Sequence, residues 1–508
     1  MKRRGSITIF AALSLMLVAQ LLFTLLEAAR HLELEKSTRM NTDSVLESMF
    51  ADYCTPLWET YHLLGVTATN GEGEFSLNNR EAQLRNLTGE NFGSEGKVGP
   101  FSGISFLAVE MTDISFNPYL LMTDQNGKVF EAAVYAYMKE NIAYEAAKYI
   151  YNNYEAVSNL QKDYGDAESS IDEAIDALEP EKEGSSSGNL KGRGSGTLED
   201  VGITQSNNEE ENPLTAVAEA KKKGILALVL PESAKLSNAE LDLSQVVSHR
   251  QLQVGTEGEI SGSDWYGKVL LNQYFVNYLA CYTNPKENRA MNYELEYLLA
   301  GKAKDSDNLR TVIGELLAIR EVLNMASLMA SPEKQEEALA LALVLVGATL
   351  NPIIVEIVKY GILAAWAYVE SVLDLRTLLD GGKIPLIKSS LDWTSNVHDL
   401  PALLSGWSQA KHCQHGIAYS DYLGILLQFH SGDKLAMRGM DVEEATVCKN
   451  SGYENFRMDH LICETSVCAT YEYSPIFLGF VSLLGRKVDC FRIQNNSSYS
   501  YRKGKGDV

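Results

Sequence analysis

Lys2-Arg3-Arg4-Gly5-Ser6-Ile7-Thr8-Ile9-Phe10-Ala11-Ala12-Leu13-Ser14-Leu15-Met16-Leu17-Val18-Ala19-Gln20-Leu21-Leu22-Phe23-Thr24-Leu25-Leu26-Glu27 opens the chain. From Ile7 to Leu26 it carries no charge, and about 20 apolar residues in a helix cross a hydrocarbon core of ~30 Å. Ile7, Phe10, Leu17, Leu21, Phe23 and Leu26 are the candidate membrane-anchor residues. Lys2, Arg3 and Arg4 precede the run and Glu27 follows it. The positive-inside rule therefore keeps the N-terminus cytoplasmic and sends the rest of the chain outward, as a single-pass protein of the cell membrane. The competing reading is a cleaved secretory signal. Its apolar core spans 7–15 residues, shorter than this run, and Glu27-Ala28-Ala29 places an acid at one subsite of a small-x-small cleavage site. Leu26-Glu27-Ala28 is a tolerable site, so cleavage stays open as the alternative.

Working outward, neither Pro nor Gly occurs between Gly5 and Pro56. Leu46, Met49, Phe50, Tyr53 and Leu57 recur at the spacing of an amphipathic helix. One helix from Ser6 to about Thr55 is predicted, about 75 Å long at 1.5 Å per residue. Residues 1–30 form the basic tip and transmembrane helix, and 31–66 a stalk helix packed on the outer domain.

The chain has 508 residues, 45% hydrophobic and 22% charged, with a net charge of −23. The first two figures suit a globular body with a real core. The acidic balance argues against nucleic-acid binding, which needs clustered Lys and Arg, and against the bulk of the chain lying on an anionic bilayer.

The fold class expected is α+β and predominantly helical: the anchor helix continues into the stalk, followed by a large helix-rich outer domain with a small sheet. Residues 67–178 combine strand and helix. Val109, Met111, Ile114 and Phe116 alternate with polar residues up to Asn117-Pro118. Asp124 to Gly127 is a turn, and Lys128 to about Ala177 is helical, with a tyrosine stripe expected to be a packing face. Residues 179–212 hold Gly, Ser, Glu and Asn with almost no aliphatics, and read as a disordered linker or insertion. Residues 213–447 read as a helical bundle, with helices at Trp265–Tyr282, Asn308–Ala330 (capped by Asp305 or Ser306), from Pro332, and up to Gly381-Gly382. Ala338 to Val355 is uncharged and long enough to raise a second membrane span, but Asn351-Pro352 splits it, and two packed helices explain it better. Shorter helices cover Tyr419–Phe429 and Asp441–Cys448. Residues 448–508 contain strands, with Tyr471, Tyr473, Phe491 and Ile493 alternating; joined to the strand near Val109 they would form one sheet.

Catalytic signatures are absent: there is no Gly-x-Ser-x-Gly, His-Glu-x-x-His, Walker or EF-hand pattern, so no catalytic residue, resident metal or cofactor is expected. His412-Cys413-x-His415, with His430, reads as a solvated turn in preference to a zinc or copper site. Glu294 and Glu296 lie two apart on different faces of a helix and are not expected to converge as an acid/base pair. Of seven cysteines, five fall at Cys413, Cys448, Cys463, Cys468 and Cys490. An oxidising compartment would permit one or two local bridges, with Cys448, Cys463, Cys468 and Cys490 as the candidates.

The opening Lys2 to Phe10, running into a helix that ends Leu26-Glu27-Ala28-Ala29-Arg30, resembles the start of TadE/TadG-type minor pilins of tight-adherence (Tad) pilus systems. Tyr293 to Gly301 with Arg320-Glu321-Val322-Leu323-Asn324, and Tyr368-Val369-Glu370 with Leu378 to Leu386, resemble an uncharacterised family of large Gram-positive membrane-anchored proteins associated with Tad-like pilus genes. The resemblance implies processing between Gly5 and Ser6, although Phe10 stands where minor pilins commonly carry Glu. It also implies a non-enzymatic part of a Tad-like pilus or secretion apparatus. Its partners would be membrane lipid, other pilus or secretion components, and further copies or subunits bound through the N-terminal helix. A stand-alone surface binding protein or adhesin is the alternative.

Overall fold

The computed structural model of the chain describes residues 4–69, 74–93, 107–142, 144–165, 169–178, 212–256, 264–347, 351–478 and 490–501. The helices begin with α1 (Arg4–Ala51), α2 (Thr55–Tyr61), α3 (Asn78–Gly93), α4 (Asp124–Met138), α5 (Tyr144–Tyr164) and α6 (Ser169–Leu178). They continue with α7 (Pro213–Lys222), α8 (Ile225–Val229), α9 (Trp265–Tyr278), α10 (Glu294–Ala300), α11 (Asp305–Met329) and α12 (Pro332–Val346). The last are α13 (Pro352–Leu379), α14 (Leu400–Ser405), α15 (Tyr419–Gln428) and α16 (Gly432–Val447). The strands are β1 (Val66–Thr67), β2 (Glu110–Leu121), β3 (Leu461–Tyr473) and β4 (Phe491–Ser500). The class is α+β, predominantly helical.

The chain forms two compact units. One comprises Met1–Ile142, Ser244–Leu271 and Gly432–Val508; the other comprises Ala143–Leu243 and Asn272–Ser431. This division departs from the segments expected from sequence. The stretch 67–178 is cut, because α5 and α6 pack with α11 and α13 in the second unit. The stretch 213–447 is cut too, because α16 packs on α2 and α4 in the first. The linker expected at 179–212 lies, but for Asn212, outside the described residues.

In the first unit, α1 is one helix of 48 residues. Ser14 and Thr24 turn their hydroxyls back onto the carbonyls of Phe10 and Gln20 (2.9 and 2.8 Å), so the apolar run exposes few unmet polar groups. The helix stops at Ala51, short of the expected Thr55. Pro56 has no N–H to bond the Asp52 carbonyl and so cannot continue α1, whereas in the first turn of α2 that missing donor costs nothing. β3 is the centre of an antiparallel sheet, with β2 along one edge and β4 and the short β1 sharing the other. The expected union of early and late strands is present: Met111 pairs with Tyr471, Ile114 with Ala469, Phe116 with Val467. The strand does not end at Asn117-Pro118. It passes through with a register shift between Phe116 and Tyr119, a bulge that accommodates the proline. Alternate residues of β3 from Cys463 to Tyr473 are buried, and Val467, Ala469, Tyr471 and Tyr473 share one core with Leu34, Val45, Leu46, Met49 and Phe50 of α1. The turn after β2 is made by left-handed backbone at Gln125, Asn126 and Gly127.

The second unit is helical and built on α13, which packs against α6, α7, α11 and α12. Asn351 caps α13, its side chain accepting from the Ile353 amide at 3.1 Å, and Pro352 occupies the first turn. The uncharged stretch is thereby split into two helices. α13 is long and apolar enough to cross a membrane, yet 61% of its most apolar window is buried inside the protein, as in a core helix. At Gly361 the neighbouring α6 comes so close that a Cβ would stand 2.2 Å from Cβ of Ala174. The helical pattern expected at 128–177 is three helices, and Tyr144 and Tyr149 of its tyrosine stripe are exposed instead of packed. α11 begins at Asp305, with Lys304 at the cap. Asp305 does not cap because its carboxylate accepts from Ser237 and from the amides of Asn292 and Tyr293.

Candidate functional site

α1 has two halves of opposite character. Ile7, Phe10, Leu17, Leu21 and Leu26 point their side chains into open space, and Phe23 is half-buried. Its most apolar window is long enough to span a membrane and has no buried part. Arg4, Gly5 and Ser6 form the helix start; Lys2 and Arg3 lie outside the described residues. From Leu34 onward the helix is packed on the sheet. Asn41 donates to the Tyr471 hydroxyl (3.1 Å), which also pairs with Thr42 (2.8 Å), and Asn495 of β4 donates to Thr38 (2.9 Å). Buried polar groups that are all paired fix one helix register on the sheet.

The two halves meet at Glu27, whose side chain is buried. One carboxylate oxygen accepts from Arg30 at 2.8 Å; the other accepts from the amides of Ile476, Phe477 and Leu478 at 3.0, 2.7 and 3.3 Å. Arg30 also donates to the Ser474 carbonyl (3.0 Å) and lies over the Tyr473 ring. His31 Nδ1 lies 2.6 Å from the Tyr473 hydroxyl. Sequence reasoning took Glu27 only as the end of the apolar run; the signal it missed is the i, i+3 pairing with Arg30 in so apolar a setting.

The second unit holds the densest set of charges. Arg320 pairs with Asp374 at 2.7 Å and Lys388 with Glu370 and Asp374, all without side-chain exposure. Arg320 also donates to Asn324 and the Tyr422 hydroxyl (3.1 and 2.8 Å), and Glu370 accepts from the amides of Thr394 and Ser395. Burial raises Asp374, but Arg320 and Lys388 outweigh it and hold the carboxyl below its ordinary value. Two cations facing two anions, each further hydrogen-bonded, make a locked joint between helices. Beside it lies a cavity of about 700 Å³ lined by Lys334, Lys388 and Trp393 among others. There the Lys334 ammonium sits 4.6 and 4.5 Å from the ring centres of Trp366 and Trp393.

Glu294 and Glu296, expected on separate faces, converge on one loop. Glu294 accepts from the Ala280 amide (2.7 Å), and Glu296 from the Tyr282 amide (3.0 Å) and the Tyr419 hydroxyl (2.9 Å). The loop 280–282 lies across the start of the short α10, buried from Glu294 to Leu299, so both carboxylates find amides two residues apart. Burial raises Glu296 to about 7, against the lowering effect of those hydrogen bonds.

Cys448, Cys463, Cys468 and Cys490, the candidates for local bridges in an oxidising compartment, stand as free thiols in this structure. Cys463 and Cys468 are five residues apart on β3, about 17 Å at the rise of a strand, and a disulfide needs Cα atoms within about 7 Å. Cys490 faces Ser474 (3.7 Å), six positions from Cys468, and the Cys448 thiol donates to the Phe456 carbonyl (3.3 Å). Near the expected histidine turn, His412 Nδ1 accepts from the Lys383 amide (3.0 Å) and Cys413 approaches Asp392. Among the described residues no three His, Cys, Asp or Glu are grouped to hold a metal ion.

No curated protein and no solved structure matches the chain. One family profile matches residues 204–473, which end on the last residue of β3 and leave α1, β1, β2 and β4 outside the match. With more than half of its 508 residues in that match, the chain belongs to DUF5702, a family of unknown function.

Proposed function

We propose that the protein is a non-enzymatic, membrane-anchored extracytoplasmic component of a Tad-like pilus or secretion apparatus, minor-pilin-like or acting in assembly. The observation that supports this most directly is α1: one unbroken helix, its first half apolar and bare, its second half packed on an antiparallel sheet. The bare half is suited to lipid or to the same helix of other subunits, and the packed half transmits that position to the folded body. Lys2, Arg3 and Arg4 favour a cytoplasmic tip. The buried charge clusters are consistent with a structural role, since their members are paired with one another.

The test is the intact mass and N-terminal sequence of the chain extracted from its native membrane, together with electron microscopy of cells lacking it. A start at Ser6, or at Met1 with loss of filaments in the deleted cells, supports the proposal. A start near Ala29 overturns the anchor. A start at Met1 with filaments unchanged overturns the pilus role in favour of a stand-alone surface protein.

A further inference from the structure

α1 leaves its apolar run at a fixed depth. The middle of Ile7–Leu26 is about ten residues from Glu27, which at 1.5 Å per residue is about 15 Å, half of a ~30 Å hydrocarbon core. If α1 crosses the bilayer, Glu27 stands where hydrocarbon gives way to headgroups. At that level it holds three successive amides, those of Ile476, Phe477 and Leu478. The connection leaving β3 is therefore tied to the helix at the height of the bilayer surface. Pro475, Ile476, Phe477 and Leu478 all keep part of their surface exposed, although three of them are large and apolar. In sequence the stretch stays uncharged to Gly485 before Arg486 and Lys487. Just beyond the tie, His31, Tyr473 and Phe491 form an aromatic group, with ring centres 6.0 Å apart for His31–Tyr473 and 5.4 Å for Tyr473–Phe491. Aromatic rings with a polar edge are favoured at this depth. The charge of Glu27 is met by Arg30 and the amides, so it can lie at a boundary of falling polarity without a bare carboxylate.

We infer that Pro475–Leu478 form a second contact with the bilayer, lying in its interfacial layer beside α1 and held there by Glu27. The occupant of this surface is lipid, because Glu27 ties it to the end of the bare apolar run of α1, and among the described residues the charges at that tie, Glu27 and Arg30, are paired with each other. The inference rests on the reading of α1 as the membrane-crossing helix. Two contacts in place of one fix the body against rotation about the helix axis, which a lone helix leaves free.

The test uses the full chain in phosphatidylcholine vesicles whose acyl chains carry bromine either near the headgroup or near the chain end. Phe477→Trp and, as a second reporter, Leu478→Trp are compared with Leu17→Trp and with the unsubstituted chain. The emission added by Phe477→Trp and Leu478→Trp is expected to lose most of its intensity with shallow bromine and little with deep bromine, and that added by Leu17→Trp to show the reverse. If neither of the first two is quenched while Leu17→Trp is, the interfacial contact is overturned and the anchor stands. If Leu17→Trp is not quenched either, both readings fall.

Discussion

Arg320 on α11 and Asp374 on α13 face each other at 2.7 Å, and neither side chain has any exposed surface. Removing one partner strands the other, which costs about 3–5 kcal/mol for a buried pair. Asp374→Asn is expected to lower the unfolding free energy of the second unit by that amount, read as a lower urea midpoint. Trp366, in the same unit and hydrogen-bonded to Ser395 at 2.9 Å, supplies the fluorescence signal. Arg320→Met combined with Asp374→Leu should recover a large part of the loss. A single variant as stable as the natural chain would show that the pair does not join the helices.

Glu296 makes stability depend on pH. Its folded value is about 7 against an ordinary 4.5, so between those values the folded state holds a proton that the unfolded state has lost. Stability from this group is therefore complete below pH 4.5, falls as pH rises, and is gone above about 7. The window corresponds to about 3 kcal/mol. Glu296→Gln carries no titrating proton, so its stability relative to the natural chain should rise by that order between pH 4.5 and pH 8. Urea titrations at a series of pH values that stay parallel for the two chains would refute it.

At Gly361 the helices α6 and α13 touch backbone to backbone. A Cβ there would stand 2.2 Å from Cβ of Ala174 and 3.0 Å from the Ser170 carbonyl. Gly361→Ala forces them apart, and overpacking of this kind costs about 1–3 kcal/mol. Thermal unfolding of the variant should begin at a lower temperature, whereas Gly314→Ala, with open space around its Cβ position, should not show the loss.

The thiols should react in order of access. Cys490 is exposed, whereas burial lifts Cys54, Cys281 and Cys448 to about 11. Brief treatment with iodoacetamide at neutral pH, followed by peptide mass analysis, should label Cys490 first and leave those three unlabelled until the chain is denatured. Recovery of any two of Cys448, Cys463, Cys468 and Cys490 as a linked peptide from the native membrane would contradict the arrangement.

The helix α1 was legible because a charge-free run is a local signal, and the packing of its second half because Leu46, Met49 and Phe50 repeat every three to four residues. The closure of the sheet was legible from the alternation at Val109–Phe116 and Tyr471–Ile493. The rest lies in contacts between distant segments. β3 starts at Leu461, earlier than its alternation suggests, because Leu461, Ile462 and Cys463 are all buried and show no period. The clamp on Glu27 joins residues 449 to 451 positions apart, and no local pattern announces such a bond. That Glu294 and Glu296 both bind the loop at 280–282 was not legible, because helix geometry fixes where side chains leave, not what wraps around them. The glycine- and serine-rich composition at 179–212 is visible, but the units divide elsewhere, at Ile142, Leu243, Leu271 and Ser431, where composition does not change.

The bond between Thr42 and Tyr471 spans 429 residues. A chain synthesised from its N-terminus presents the apolar face of α1 long before β3 and β4 exist to cover it. Completion of the first unit thus waits on β3 and β4, which pair with β2 and cover α1. A stop codon shortly before Leu461 would leave the helix without the strands it packs on, a form suited to aggregation or to proteolytic disposal, not to partial function.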